Sequence, residues 1–183
     1  GFKPVKIWVE EKYIRAAPGG LGAAKAGANY AASLKAAYEA KQKGYAQVLW
    51  LDVDHDGIEE VGTMNVFFVF KDEVVTPALN GCILAGGVRD FVIQLLQHKK
   101  MKITERKVTI SEIIERQKKG ELLEAFGTGT AAVITPVGSL HFKGEDVLIN
   151  NAEPGALSQS LVQEITAIQR GTAPDIFTWM EPV

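Results

Sequence analysis

A lysine among small residues, two adjacent glutamates and a glycine-threonine run are the parts of this chain that can do chemistry. Lys25 lies in Gly22-Ala23-Ala24-Lys25-Ala26-Gly27-Ala28-Asn29-Tyr30, where nothing bulky keeps a bound molecule from its amine. A buried amine there, with its pKa lowered by desolvation or by a nearby cation, can form an imine with an aldehyde. Tyr30 adds a phenol close by. Glu59-Glu60-Val61-Gly62-Thr63-Met64-Asn65 places paired acids at the mouth of an apolar strand. If one of them is forced inward it needs a partner, and a protonated pyridine nitrogen is one. Two segments can hold a phosphate. Gly86-Gly87-Val88 opens a helix whose free N–H groups and positive dipole end favour an anion. Gly127-Thr128-Gly129-Thr130-Ala131-Ala132 offers hydroxyls and accessible amides. An amine for an aldehyde, an acid for a ring nitrogen and a cradle for a phosphate are the three contacts that pyridoxal phosphate needs.

Taken singly, each feature has an ordinary explanation: a solvated lysine, a core tyrosine, two solvated glutamates after a turn, and a turn leading into a strand. The elements that must carry them alternate between strand-like and helix-like runs without a long linker, which reads as one α/β domain. Ala31, Leu34, Ala37 and Tyr38 at helical spacing predict a helix over 29–43, stopped by Gly44. The β-branched and aromatic runs 47–52 and 64–70 read as neighbouring strands separated by the polar turn Asp54-His55-Asp56-Gly57. Gly62 at a strand end marks close approach by another backbone or a ligand. Val88, Phe91, Val92, Leu95 and Leu96 share one face of a helix opening after two glycines. A strand over 102–110, a helix from Ser111 to about Lys119 with Glu112 in its first turn, a buried strand over 130–137 and a last helix over 157–170 complete the reading.

Bulk properties remove several classes. The 183 residues are enough for one domain with a proper core. Twenty basic residues nearly cancel 22 acidic ones, so no general field draws nucleic acid or anionic lipid. No apolar stretch is long enough to span a bilayer, and the start lacks a signal-peptide pattern. The single cysteine, Cys82, excludes an internal disulfide and a cysteine-based zinc site, and fits a reducing cytoplasm. Asp52-Val53-Asp54-His55-Asp56-Gly57 imitates the first half of a calcium loop, but position twelve is Thr63 and a strand precedes it, so a hairpin turn is expected. His55, His98 and His141 show no ligand spacing, and no metal site is expected. The glycines fit neither a P-loop nor a Rossmann fingerprint.

The sequence closely resembles the branched-chain amino acid aminotransferases of the class IV, fold type IV pyridoxal phosphate enzymes. The resemblance runs from Tyr13-Ile14-Arg15-Ala16 through the Lys25 and Glu60 strings, Thr76-Pro77-Ala78-Leu79-Asn80-Gly81 and Phe126-Gly127-Thr128-Gly129-Thr130-Ala131-Ala132 to Trp179-Met180-Glu181-Pro182-Val183. It implies a mixed-sheet pseudo-barrel with surrounding helices, the large domain of that fold type. It implies that Lys25 is the catalytic, imine-forming lysine, that Tyr30 bonds the cofactor's phenolate oxygen and that Glu60 bonds its ring nitrogen. Leu84 would lie on the ring face, Gly87, Val88 and Thr130 would bind the phosphate, and Thr63 and Ala131 would lie near the substrate carboxylate. The implied reaction passes an amino group between leucine, isoleucine or valine and 2-oxoglutarate, in an enzyme that forms dimers or larger homo-oligomers. Residues 1–183 correspond to the large domain alone. The chain starts at Gly1 and not methionine, and the family's amino-terminal domain, with its phosphate-binding arginine, is expected to be absent. Weak cofactor binding and little activity are then expected of the isolated chain. Ala85 replaces the family's usual proline and Gly87 a bulkier residue, which loosens the phosphate turn; Ala132 and Thr135 stand where some animal members carry a redox cysteine pair. A D-amino acid transaminase, an aminodeoxychorismate lyase of the same fold, and a non-catalytic folding or dimerisation module are the alternatives.

Overall fold

In the computed structural model, which describes residues 2–181, the order of elements is β1 (Val5–Val9), α1 (Gly27–Gln42), β2 (Gln47–Leu51), β3 (Ile58–Val61), β4 (Asn65–Phe70), β5 (Val74–Pro77), α2 (Gly87–His98), β6 (Ile103–Arg106), α3 (Ile110–Lys118), β7 (Leu122–Gly129), β8 (Val133–Phe142), β9 (Glu145–Leu148) and α4 (Ala156–Gln169). Gly1 and, from the closing string, Pro182 and Val183 lie outside the described residues.

The strands form one mixed sheet in the order β3-β2-β1-β8-β7-β4-β5-β6, with β9 added on β8. Pairs β1/β2, β1/β8 and β5/β6 are parallel and the rest antiparallel. The sheet curls, so β3 at one end of the order comes back against β4 and β5. Bridges at Val61–Met64 and Gly57–Thr109 fasten the curl. Among the described residues this is an α/β half-barrel with four α-helices, the pseudo-barrel implied by the family resemblance.

Alternation along β4 shows why the sheet needs cover on both faces. Val66, Phe68 and Phe70 point into the curl with Ile7, Leu49 and Leu140, and α3 plugs it with Ile110 and Ile113. Phe67 and Val69 point outward onto α2 and α4 through Val92, Leu96, Leu161 and Ile165. Each buried phenylalanine contributes roughly 2 kcal/mol by leaving water. Glu124 of β7 joins sheet to helix: its carboxyl accepts the Leu157 and Ser158 N–H groups at 2.8 and 3.0 Å, satisfying the start of α4.

Several expectations are corrected. The 47–52 and 64–70 runs do form strands, as β2 and β4, but they are not neighbours, because β3 takes the place beside β2. The 54–57 turn therefore closes a β2–β3 hairpin. Asp52 Oδ1 accepts the N–H groups of Asp54, Asp56 and Gly57, and Oδ2 takes Lys107 at 2.9 Å, so the turn itself consumes the carboxylate that imitated a calcium ligand. The strand expected over 102–110 ends at Arg106. The helix expected to start at Ser111 is capped by Thr109, whose hydroxyl accepts the Glu112 N–H at 3.0 Å. Residues 130–132 turn before β8 begins. On α1, Leu34 and Tyr38 are 67% and 65% exposed, and the helix instead packs through Ala36 and Ala40 on Val48 and Trp50. Only small side chains let a helix approach a buried tryptophan so closely.

Candidate active site

Four segments meet over one end of the curled sheet. The 15–26 loop and the start of α1 bring Lys25 and Tyr30; β3 and the turn into β4 bring Glu60, Thr63 and Asn65. The loop before α2 brings Leu84 to Val88, and the end of β7 with the following turn brings Thr128 to Ala131. These residues line a cavity of about 490 Å³. That volume lies within the roughly 300–1,000 Å³ usual for small-molecule sites. All nine residues singled out from the sequence line it. Its floor is buried, with Glu60, Asn65, Val88 and Thr128, and Leu84 is half-buried beside them. Its rim is exposed, with Lys25, Tyr30, Thr63, Gly87, Thr130 and Ala131.

One expectation fails here. Lys25 was expected to be a buried amine and is exposed. Its loop is built of glycine and alanine, which supply no side chains to cover it. Tyr30 is likewise not a core tyrosine, being 38% exposed.

Glu60 is the electrostatic centre of the floor. Its Oε1 accepts the Leu84 N–H at 2.8 Å and lies 3.2 Å from Arg15 Nη2. Burial pushes the Glu60 carboxyl above its ordinary range, while the Arg15 guanidinium and the Leu84 N–H pull the other way. A buried acid in this state gains from a further cation or donor on its open side. The Leu84 peptide is held at both ends, because its carbonyl accepts Asn65 Nδ2 at 2.8 Å. Arg15 also donates to the carbonyls of Gly22 and Cys82, which ties the lysine-bearing loop to the loop before α2. The two backbones touch there: a Cβ at Gly22 would lie 2.5 Å from Cys82 Cα. Gly22→Ala is therefore expected to destabilise the fold by about 1–3 kcal/mol through overpacking. A fall in the thermal unfolding midpoint checks it, and an unchanged midpoint would show that the loops can separate freely.

The opposite wall suits an anion. The first turn of α2 has no side-chain cap at Gly86 among the described residues, and a Cβ at Gly87 would meet open space. Its leading N–H groups have no intrahelical acceptors, and the dipole favours negative charge. The Thr128 hydroxyl is buried with no hydrogen-bond partner among the described residues. An orphan donor, an uncapped helix start and a buried acid fit a phosphorylated pyridine bearing an aldehyde, with Lys25 on the rim as the amine.

Arg15, Asn65 and Thr128 carry much of this geometry, yet their residue types and spacing suggested no role. Each stood inside a string already singled out for its neighbours. The signal for Arg15 was pairing: an apolar strand that hides an acid must hide a cation or donor with it.

The amino-transferase class IV family model matches residues 3–140. Branched-chain-amino-acid aminotransferase 2 of Bacillus subtilis (strain 168) is 52% identical over 184 residues, covering all of this chain and 51% of that protein. Among solved structures, branched-chain amino acid aminotransferase from Escherichia coli superposes with a TM-score of 0.82 at 30% identity, over 97% of this chain and 57% of that one. The enzyme of the same name from Thermobaculum terrenum, in its PLP (holo) form, gives 0.80 at 28% identity, over 93% of this chain and 52% of that one. The chain thus spans about half the length of the curated relatives it matches.

Proposed function

Because the chain belongs to the amino-transferase class IV family, we propose that its cavity binds pyridoxal 5′-phosphate and serves the transamination of leucine, isoleucine and valine with 2-oxoglutarate. In this reading residues 1–183 act as the cofactor-binding domain of a longer enzyme. Lys25 is the catalytic amine; Tyr30, Glu60, Leu84, Gly87, Val88 and Thr130 hold the cofactor, and Thr63 and Ala131 border the substrate carboxylate. The observation that carries the reading is the gathering of an amine, a buried acid and an uncapped helix start around one cavity.

When bound, the cofactor supplies an electron sink for charge developing at the substrate Cα. Glu60 keeps the ring nitrogen protonated by pairing with it, and Arg15 keeps Glu60 in place. Lys25 would be the residue that holds the cofactor's aldehyde carbon and that serves as the base for the substrate Cα proton. Tyr30 orients the ring through its phenolate oxygen. Leu84, with its peptide clamped between Glu60 and Asn65, bears on the ring face. The α2 start and the Thr130 hydroxyl hold the phosphate. Exposure of the rim means that water must be excluded by further chain or by a second copy. The exposed Leu34 and Tyr38 on α1 support assembly as a homodimer. The buried single cysteine supports a reducing, cytoplasmic setting. Among the described residues no helix is long and apolar enough to cross a membrane.

Pyridoxal phosphate added to this chain, followed by borohydride reduction and peptide mass mapping, tests the cofactor assignment. A single adduct on Lys25 is expected, and adducts scattered over other lysines would overturn it. For the intact enzyme, a panel of branched-chain L-amino acids, D-amino acids and aminodeoxychorismate tests the substrate class. Turnover confined to the branched-chain set is expected.

A further inference from the structure

Glu59 is as buried as Glu60, at 2% against 4% exposure, yet it takes no part in the cavity of Glu60. The cause is a shift in strand register. Trp50 of β2 pairs with Glu60 and Leu51 with Ile58, which leaves Glu59 as an extra residue opposite none. Such a bulge breaks alternation and re-aims a side chain. Ile58 and Val61 therefore both enter the core, and Glu59 opens onto a separate cavity of about 190 Å³ with Asp52, Asn80, Ile83 and Lys107. Asn80 and Ile83 bring the loop before α2 to that cavity, and Cys82 stands between them in the chain. Its Oε2 is buried and has no hydrogen-bond partner among the described residues. The nearby cations are engaged by other acids, Arg15 by Glu60 at 3.2 Å and Lys107 by Asp52 at 2.9 Å. The loop that Glu59 touches is the one that delivers the Leu84 N–H to Glu60 and the Leu84 carbonyl to Asn65.

We propose that Glu59 is a positioning residue: re-aimed by the bulge, its carboxyl clasps the 80–84 loop at Asn80 and Ile83 from behind β3 and so keeps that loop seated, with Leu84 over the cavity. The clasp is a property of this chain alone, and its consequence for the cofactor rests on the function proposed above. A buried carboxyl without a free cation is held best as the neutral acid. Burial pushes Glu59 from 4.5 up to about 7; Asp52 adds to this, while Asn80, Arg15 and Cys82 oppose it. An acid whose pKa is raised in the closed state stabilises that state fully below the open-state value and loses this as pH rises through the closed-state value. The loop is thus tightest in acid and loosens between about pH 4.5 and about pH 7, by a factor of roughly three hundred at most.

Cys82 reports the clasp directly, being the only cysteine in the sequence and 2% exposed. A thiol so covered reacts with 4,4′-dithiodipyridine only when the loop opens. The rate is measured from about pH 5 to about pH 8 for the wild type, for Glu59→Gln, which keeps the shape and stays neutral, and for Glu59→Ala. Circular dichroism confirms that each variant is folded. The ratio of wild-type to E59Q rates, in which the ionisation of the opened thiol cancels, is expected to rise at least about tenfold toward pH 7 and then level off. E59A is expected to label about tenfold faster than E59Q at every pH, having lost the contact altogether. Identical pH profiles for wild type and E59Q, or an E59A protein as protected as E59Q, would overturn the proposal. Pyridoxal phosphate is absent from these measurements, so a positive result together with no borohydride adduct on Lys25 would leave the clasp standing and remove the cofactor assignment.

Discussion

Lys25→Ala in the intact enzyme is expected to abolish the borohydride-stable adduct and to lower transamination by at least about 10³-fold. Among the described residues Lys25 is the only lysine lining the cavity, so no other amine takes its place. It is exposed on a loop of small residues, and its removal is expected to shift stability by no more than about 0.5 kcal/mol. Lost chemistry with an unchanged unfolding midpoint separates a catalytic role from a structural one. Retained transamination, or an adduct that simply moves to another lysine, would remove Lys25 from the mechanism.

The second large effect is expected at Glu60, where chemistry and stability fail together. Glu60→Gln keeps the shape of the side chain but cannot pair as an anion with a protonated ring nitrogen. Turnover is expected to drop about 10²–10³-fold, the usual effect of losing one preorganised electrostatic contact. The same change strips Arg15 of its charge partner at a site where both side chains are nearly inaccessible, at 8% and 5% exposure. Breaking a buried pair from one side typically costs about 3–5 kcal/mol. The lower end is expected here, because Arg15 keeps the carbonyls of Gly22 and Cys82. Chemical denaturation measures the stability loss, and cofactor titration by absorbance measures the ring contact. A variant as stable as the wild type, with unaltered cofactor affinity, would show that Glu60 faces neither Arg15 nor the ring to any effect.

The nine residues singled out from the sequence are scattered from position 25 to position 131, yet all line one cavity. Spacing could indicate that much because each sits at the end of an element: a loop before a helix, a strand end, a helix start, a turn between strands. Local chemistry marks such ends with glycine, small residues and isolated polar groups. The same local signals located the four helices to within a few residues and placed the Asp52 turn as a hairpin. Strands β1, β3, β5, β7 and β9 were not anticipated. Four of them, β1, β3, β5 and β9, are only four or five residues long, and a run that short shows neither clear alternation nor helical period. The neighbours of β2 and β4 were misjudged because strand pairing depends on distant partners, and adjacency along the chain is only a tendency.

Which side chains are available for chemistry, and the breaks between elements at which they sit, follow from the order of residues alone, since both depend on residues near one another in the chain. The curled strand order, the burial of both glutamates and the exposure of Lys25 were decided only by tertiary structure. A one-residue bulge against β2 sends Glu59 behind the strand and leaves Glu60 in the cavity, and only the partner strand reveals that shift. Whether an amine is covered depends likewise on what folds over it, and the glycine-alanine loop around Lys25 supplies no cover of its own.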